Sequence, residues 1–253
     1  MGLMNEARQI VGAGTPAAAW RADPALAAVP TVTLDELVPP GWRAVLVAPH
    51  PDDEVLAWGG LLQLLAARSA PLLLVAVTDG EASHPGSCAW PAARLRQQRP
   101  SETVAALDAL GLSAVTMARL RLADGGVTAA LQDLSCAIAA LLRPNDVVIT
   151  TWRQDGHPDH EATAHACATA AALCEARLLQ TPVWGWHWNA PDRNAMPFGC
   201  ARRLVLTPAQ LARKAAALAC FASQLKGDPA SGVAPILPPH VLERALLDCE
   251  VFL

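Results

Sequence analysis

The chain reads as an α/β protein built on a mostly parallel sheet with helices on both faces. Three observations predict this: apolar runs short enough for strands, longer leucine- and alanine-rich stretches between them, and polar clusters directly after the apolar runs. Parallel strands buried on both faces read as continuous apolar runs, and each needs a crossover before the next, usually a helix. With 253 residues, 53% hydrophobic and 17% charged, the chain can bury such a core. One domain over 1–253 is expected, with a lead-in at 1–41, a motif-bearing core at 42–225 and a smaller C-terminal β/α extension at 226–253.

Residues 1–41 carry Pro, Ala and Gly and are expected to wrap the domain surface. Residues 43–48, RAVLVA, form the first strand, and 55–68 a leucine-rich helix. LLLVAV at 72–77 is the second strand, ending in Thr78, Asp79 and Gly80. After a loop containing EASHPGSCAWP comes a helix through SETVAALDALG, with Ser101 as start signal and Gly111 as stop. A weaker strand over 115–122 ends at Ala123, Asp124, Gly125 and Gly126. A helix over 128–143 then precedes the strand DVVITT at 146–151, and the next helix is expected from His157 to Arg177. TPVWGWHW reads as β-like, ARRLVL as a strand, TPAQLARKAAALACFASQL as a strong helix, and a last helix lies near 240–248. No solenoid-period repeat and no low-complexity linker divides the chain.

Composition excludes several function classes. The net charge of -4 and the scattered basic residues offer no footprint for a nucleic-acid backbone. Seven cysteines, odd in number and without a C-x-x-C pair, read as small core hydrophobes in a reducing compartment. MGLMNEARQI lacks the basic-then-apolar order of a signal peptide, and no run approaches the roughly 18 apolar residues of a membrane span. A cytoplasmic protein without an integral membrane segment is expected, with a homo-oligomer left open.

The chemistry concentrates in two motifs, H-P-D-D-E at 50–54 and H-P-D-H-E at 157–161, each after an expected strand. In open parallel sheets ligands bind outside the carboxyl ends of strands, so clusters a hundred residues apart can converge. Proline favours the first helical position, which makes His50 and His157 expected N-caps and pairs them with Asp53 and His160 three residues on. The helix dipole disfavours imidazolium there and keeps a ring nitrogen available as a ligand. Two imidazoles and one carboxylate suit a borderline divalent ion in an open site, so His50, Asp53 and His160 are the candidate ligands, with Zn2+ expected and another divalent ion as the alternative. Asp52 is the candidate base for water attack. His157 is the candidate acid or oxyanion partner, oriented by Asp159 or Asp155. Taken singly, acidic residues in a first helical turn are ordinary helix stabilisers; the repetition of the pattern at two strand ends is what points to function. Glu54 reads as a helix-start carboxylate or as support for a ligand.

APHPDDE and DGHPDH resemble the paired motif of the LmbE-like, or PIG-L, de-N-acetylases, over about residues 44–225. The resemblance implies a Rossmann-like fold without nucleotide and zinc on His50, Asp53 and His160. It further implies Asp52 as base, His157 as acid with Asp159 beside it, and a small-molecule N-acylated amino sugar or conjugate as substrate. RPSETVAALDALG is similar to an R-x-x-E helix whose arginine reaches substrate, giving Arg99, against a surface salt bridge with Glu102. LADGGV is similar to a loop whose acid faces the sugar, giving Asp124, against a plain turn residue. Some relatives carry a mobile tyrosine near the second motif. This chain has no tyrosine, and Trp152 occupies that neighbourhood. A regular strand through WGWHW would put Trp184, Trp186 and Trp188 on one face and His187, a candidate substrate contact, on the other. Two other readings remain: a phosphoester hydrolase with two metals bridged by Asp52 and Asp53, and a nucleotide-binding module, for which the lone G-x-G at 12–14 lacks the third glycine.

Overall fold

The computed structural model describes residues 8–193 and 195–253. The first seven residues of the lead-in, with most of MGLMNEARQI, lie outside the described residues. The rest of the lead-in folds into three short helices, α1 (Ala17–Arg21), α2 (Pro24–Ala27) and α3 (Leu34–Leu37). It packs on the molecule rather than trailing from it: Trp20 Nε1 donates to the Trp186 carbonyl at 2.9 Å and Arg8 pairs with Glu161 at 2.8 Å.

The main sheet comprises β1 (Arg43–Ala48), β2 (Leu72–Thr78), β3 (Thr116–Leu122), β4 (Asp146–Thr151) and β5 (Arg177–Thr181), all parallel, in the order β3-β2-β1-β4-β5. Because β1 is central, each face of it is covered. Ala44, Leu46 and Ala48 enter one core, while Val45 and Val47 enter the other. Burying each of these valines or Leu46 contributes roughly 1.5–3 kcal/mol relative to exposure.

Between the strands run α4 (Asp53–Ala67), α5 (Ala92–Ala109), α6 (Leu131–Leu141) and α7 (Pro158–Leu173). Residues of α4 and α5 fill the first core and those of α6 and α7 the second. After β5 come α8 (Gly185–Trp188), β6 (Arg202–Val205), α9 (Pro208–Leu218), α10 (Ala222–Leu225), α11 (Pro239–Ala245) and β7 (Cys249–Phe252). β6 and β7 form a separate antiparallel pair.

One buried ion pair ties this last part to the core. Lys214 Nζ of α9 lies 2.7 Å from Glu250 Oε1 of β7, and both side chains are about 2% exposed. Glu250 also accepts from the Gly60 and Leu61 N–H groups at 2.7 and 2.9 Å, just after Trp58 breaks the helical geometry of α4. Gly59 makes the approach feasible, since a Cβ there would lie 2.8 Å from Lys214 Cγ.

Several expected boundaries are corrected. The helix with Ser101 as start begins at Ala92 instead, with Pro100 inside it, and Ser101 Oγ donates back to the Gln97 carbonyl rather than capping. The helix expected to reach Arg177 ends at Leu173. Glu175, at φ 53°, turns the chain so that 177–181 can pair with β4. The β-like run TPVWGWHW therefore holds only the end of β5. Pro182 follows, and residues 185–188 coil into α8, so Trp184, Trp186 and Trp188 do not share a strand face. The final helix stops at Ala245, and Cys249–Phe252 is a strand.

Candidate active site

β1 and β4 are neighbours, yet β1 leads on to β2 on one side and β4 to β5 on the other. Such a reversal opens a crevice at the carboxyl ends of the two strands, and both motifs emerge into it. The two helix starts differ. His157 caps α7, with Pro158 in the first turn as expected. In the first motif the cap falls on Asp52 rather than His50, and α4 starts at Asp53.

Asp52 adopts φ 121° and ψ −30°, a strained conformation for a residue with a side chain. Its neighbours over-determine it. The Asp52 N–H donates to Glu54 Oε2 at 3.0 Å, and Arg99 Nη2 donates to the Pro51 carbonyl at 2.6 Å and to Asp52 Oδ2 at 3.1 Å. Arg99 Nη1 reaches the Gly80 carbonyl at 2.7 Å; at φ 66°, Gly80 leaves no space for a Cβ beside that guanidinium. Burial pushes the Asp52 carboxyl up to about 8, against the pull of Arg99 and with a contribution from Asp53 and Glu54. Burial likewise pushes Glu54 up to about 7.

His50, Asp53 and His160 converge. Asp53 Oδ2 lies 3.3 Å from His50 Nδ1 and 3.2 Å from His160 Nε2. His160 Nδ1 pairs with Asp155 Oδ2 at 2.8 Å, so that nitrogen carries the proton and Nε2 presents a lone pair toward Asp53. That Nε2 is buried and has no hydrogen-bond partner among the described residues. His50 Nε2 sits 3.2 Å from Asp124 Oδ1 and 3.3 Å from Asp159 Oδ2, which likewise leaves Nδ1 turned to Asp53. A lone pair facing a carboxylate needs a cation or a proton between them. Without an ion, burial opposes charge on both rings, but the carboxylates outweigh it, holding His50 well above its usual range and His160 at about 9. Burial lifts the Asp53 carboxyl, but His160 and His50 prevail and keep it far below the carboxylate range. Ligand atoms about 2.1 Å from a tetrahedral ion lie about 3.4 Å apart, close to both distances from Asp53 Oδ2, so the carboxylate paired with either ring suits a divalent metal. His157 adds a third imidazole whose ring nitrogen comes within 4.8 Å of those of His50 and His160.

His157 Nδ1 accepts the Asp159 backbone N–H at 3.2 Å, so its neutral ring carries the proton on Nε2. Burial first, then the charges of His160 and His50, push it down to about 3. The orienting carboxylates differ from expectation. The Asp159 carboxylate serves His50 and accepts the Gly125 N–H at 2.7 Å, and Asp155 serves His160; it is the Asp159 backbone that orients His157. Asp155 is the functional residue the motif reading undervalued. It also accepts the Val183, Trp184 and Gly185 N–H groups at 2.8–2.9 Å. Its place five residues before His160 was the available signal, since metal-binding histidines so often lean on a carboxylate.

The cluster opens into a cavity of about 320 Å³, lined also by Arg99 and Asp124 and by an apolar wall that includes Leu56, Trp184 and Leu237. Arg99 is neither exposed nor paired with Glu102, because it is drawn inward to Asp52. Asp124 is more than a turn residue: Oδ1 faces His50, and Oδ2 accepts the Ala82 N–H at 2.8 Å. Trp152 and His187 do not line this cavity. Trp152 is 3% exposed and stacks on Trp188 in an apolar cluster, and His187 bonds Arg244 and the Val11 carbonyl where the lead-in packs. His187 lies in α8 rather than on a strand face, and Trp152 is held by its stack on Trp188. Asp52 Oδ2 pairs with Arg99 at 3.1 Å, and Gly12 to Gly14 lies in the lead-in, away from any strand-to-helix turn among the described residues.

Known proteins share the sequence pattern and the fold. The chain is 32% identical over 174 residues to the 1D-myo-inositol 2-acetamido-2-deoxy-alpha-D-glucopyranoside deacetylase of Rhodococcus erythropolis, covering 59% of this chain and 58% of that one. It thus spans less than two thirds of that relative's length. The conserved protein TT1542 of Thermus thermophilus shares the fold at a TM-score of 0.58 and 24% identity, over 84% of this chain and 94% of the other. The N,N'-diacetylchitobiose deacetylase of Pyrococcus horikoshii does so at 0.56 and 19%, over 78% and 75%. The model of the GlcNAc-PI de-N-acetylases, PIG-L, matches residues 45–171, half of the chain and both motifs, so the chain belongs to the PIG-L de-N-acetylase family.

Proposed function

We propose that the protein is a zinc-dependent hydrolase that removes an N-acetyl group from an amino sugar or its conjugate, as the name of its Rhodococcus relative describes for that enzyme. The observation that carries the reading is the convergence of His50 Nδ1, Asp53 Oδ2 and His160 Nε2 beside a strained, buried Asp52. Those three side chains would hold the ion. When bound, it supplies Lewis acidity, making water more acidic and polarising the amide carbonyl.

The chain's own groups do the rest. Asp52 Oδ2 is engaged by Arg99, so Oδ1 is the oxygen that takes the proton of the attacking water. Neutral His157, with its proton on Nε2, donates a hydrogen bond to the developing oxyanion, and protonated Asp52 returns the water's proton to the departing nitrogen. The water hydroxyl joins the acyl carbon, the C–N bond breaks, and acetate and a primary amine leave. Asp124 and Arg99 face the cavity as sugar contacts.

A screen of N-acetylated amino sugars and inositol conjugates, reading released primary amine with one zinc per chain, tests the reading. Asp52→Ala should keep stoichiometric zinc while losing about 10²–10⁴-fold in turnover, and His160→Ala should lose the metal. Normal turnover in Asp52→Ala would remove the base assignment. Two ions per chain with phosphatase turnover would replace the reaction class.

A further inference from the structure

The family match ends at residue 171, yet Trp184, Gln224, Ile236 and Leu237 of the cavity wall lie beyond it. What the distal part of the cavity recognises is therefore set by the last third of the chain. Within it, Gln224 is fully buried and polar.

Its amide orientation follows from its neighbours. Ser223 Oγ donates its single proton to Glu102 Oε2 at 2.6 Å, so toward Gln224 it can only accept. The group 2.9 Å away is then the Gln224 Nε2, which also reaches toward Ser83 Oγ at 3.5 Å. The carbonyl oxygen Oε1 is left buried, with no hydrogen-bond partner among the described residues, on a side chain that lines the cavity. Glu102 is anchored in turn by the Ser223 N–H at 2.9 Å and by Gln98 Nε2 at 3.0 Å. The Leu237 N–H donates to the Gln224 main-chain carbonyl at 3.0 Å and ties this residue to the apolar wall. A buried acceptor without a partner is costly, and in a ligand cavity it marks where a donor belongs.

We propose that Gln224 is a specificity-determining residue whose Oε1 accepts a hydrogen bond from a sugar hydroxyl of the N-acetylated substrate. Glu102 and Ser223 act as positioning residues that hold the amide in the accepting orientation. The assignment rests on the de-N-acetylase reading above. It also explains the R-x-x-E pattern: the arginine serves Asp52, and the glutamate serves the distal wall.

The test uses the zinc-loaded protein with methyl 2-acetamido-2-deoxyglucopyranoside and its 3-, 4- and 6-deoxy analogues. Wild type should discriminate about tenfold in kcat/KM, chiefly through KM, against one deoxy analogue. Gln224→Leu should lose about tenfold on the parent sugar and show no further loss on that analogue, while Gln224→Glu, which keeps an acceptor oxygen, should recover part of the difference. Thermal melting of each variant separates a folding defect from a recognition defect. Equal treatment of all the analogues by wild type, which needs no variant, would overturn the assignment but leave deacetylation intact. So would Gln224→Leu with unchanged KM and intact discrimination. No amine release from any of these sugars or from inositol conjugates would instead overturn the de-N-acetylase reading, and this assignment with it.

Discussion

Replacing Asp155 with asparagine removes one charge and exchanges one acceptor for a donor at a crowded point. Asp155 Oδ1 accepts from Val183 and Gly185, and Oδ2 from Trp184 and His160 Nδ1. An asparagine that keeps its oxygen at the Oδ1 position turns an NH2 group against the Trp184 N–H and His160 Nδ1–H. To relieve the clash, His160 must move its proton to Nε2, the nitrogen that faces Asp53, and there it can no longer act as a ligand. Loss of a histidine's orienting carboxylate costs about ten- to a hundredfold in metal affinity, which is about 1.4–2.7 kcal/mol. The orphaned Trp184 N–H adds about 1–3 kcal/mol of lost fold stability. Competition against a chromophoric chelator reads the first quantity, and urea unfolding in EDTA reads the second. Wild-type metal affinity in Asp155→Asn would refute the argument that Asp155 fixes the His160 tautomer.

Two further outcomes follow from contacts elsewhere in the structure. Arg99 lowers the Asp52 pKa against the upward push of burial. Arg99→Leu should therefore move the acidic limb of the kcat/KM profile to higher pH, because the base then holds its proton longer as pH rises; a limb that stays in place would detach Arg99 from the base. Lys214→Met leaves Glu250 charged, buried and short of one partner, and should cost about 3–5 kcal/mol in denaturant unfolding. A change below about 1 kcal/mol would mean that the pair behaves as an exposed one.

Much of the site was legible because its signals are local. The apolar runs ending at His50 and near His157 announced buried strands, and the repeated H-P-D-x pattern named the groups at their ends. Orientation was less legible. Proline marked the start of α7 correctly, but Asp52 took the cap of α4 in a left-handed conformation, and Arg99 and Glu54, close only in space or through the turn, hold it there. Whether WGWHW was strand or helix depended on whether 177–181 would pair with β4, a contact outside any local window. With 185–188 coiled into α8, His187 packs against Arg244 and the lead-in instead.

By itself the sequence determined the α/β class, the two strand-end motifs and the residue types able to bind a metal and move a proton, because periodicity and motif spacing are properties of short stretches. Only the tertiary structure decided which carboxylate orients which histidine, that Arg99 serves Asp52, and that Gln224 faces the cavity. Those relations join residues brought together from separate strands and helices, and hydrogen-bond partnership is set by distance and direction in space.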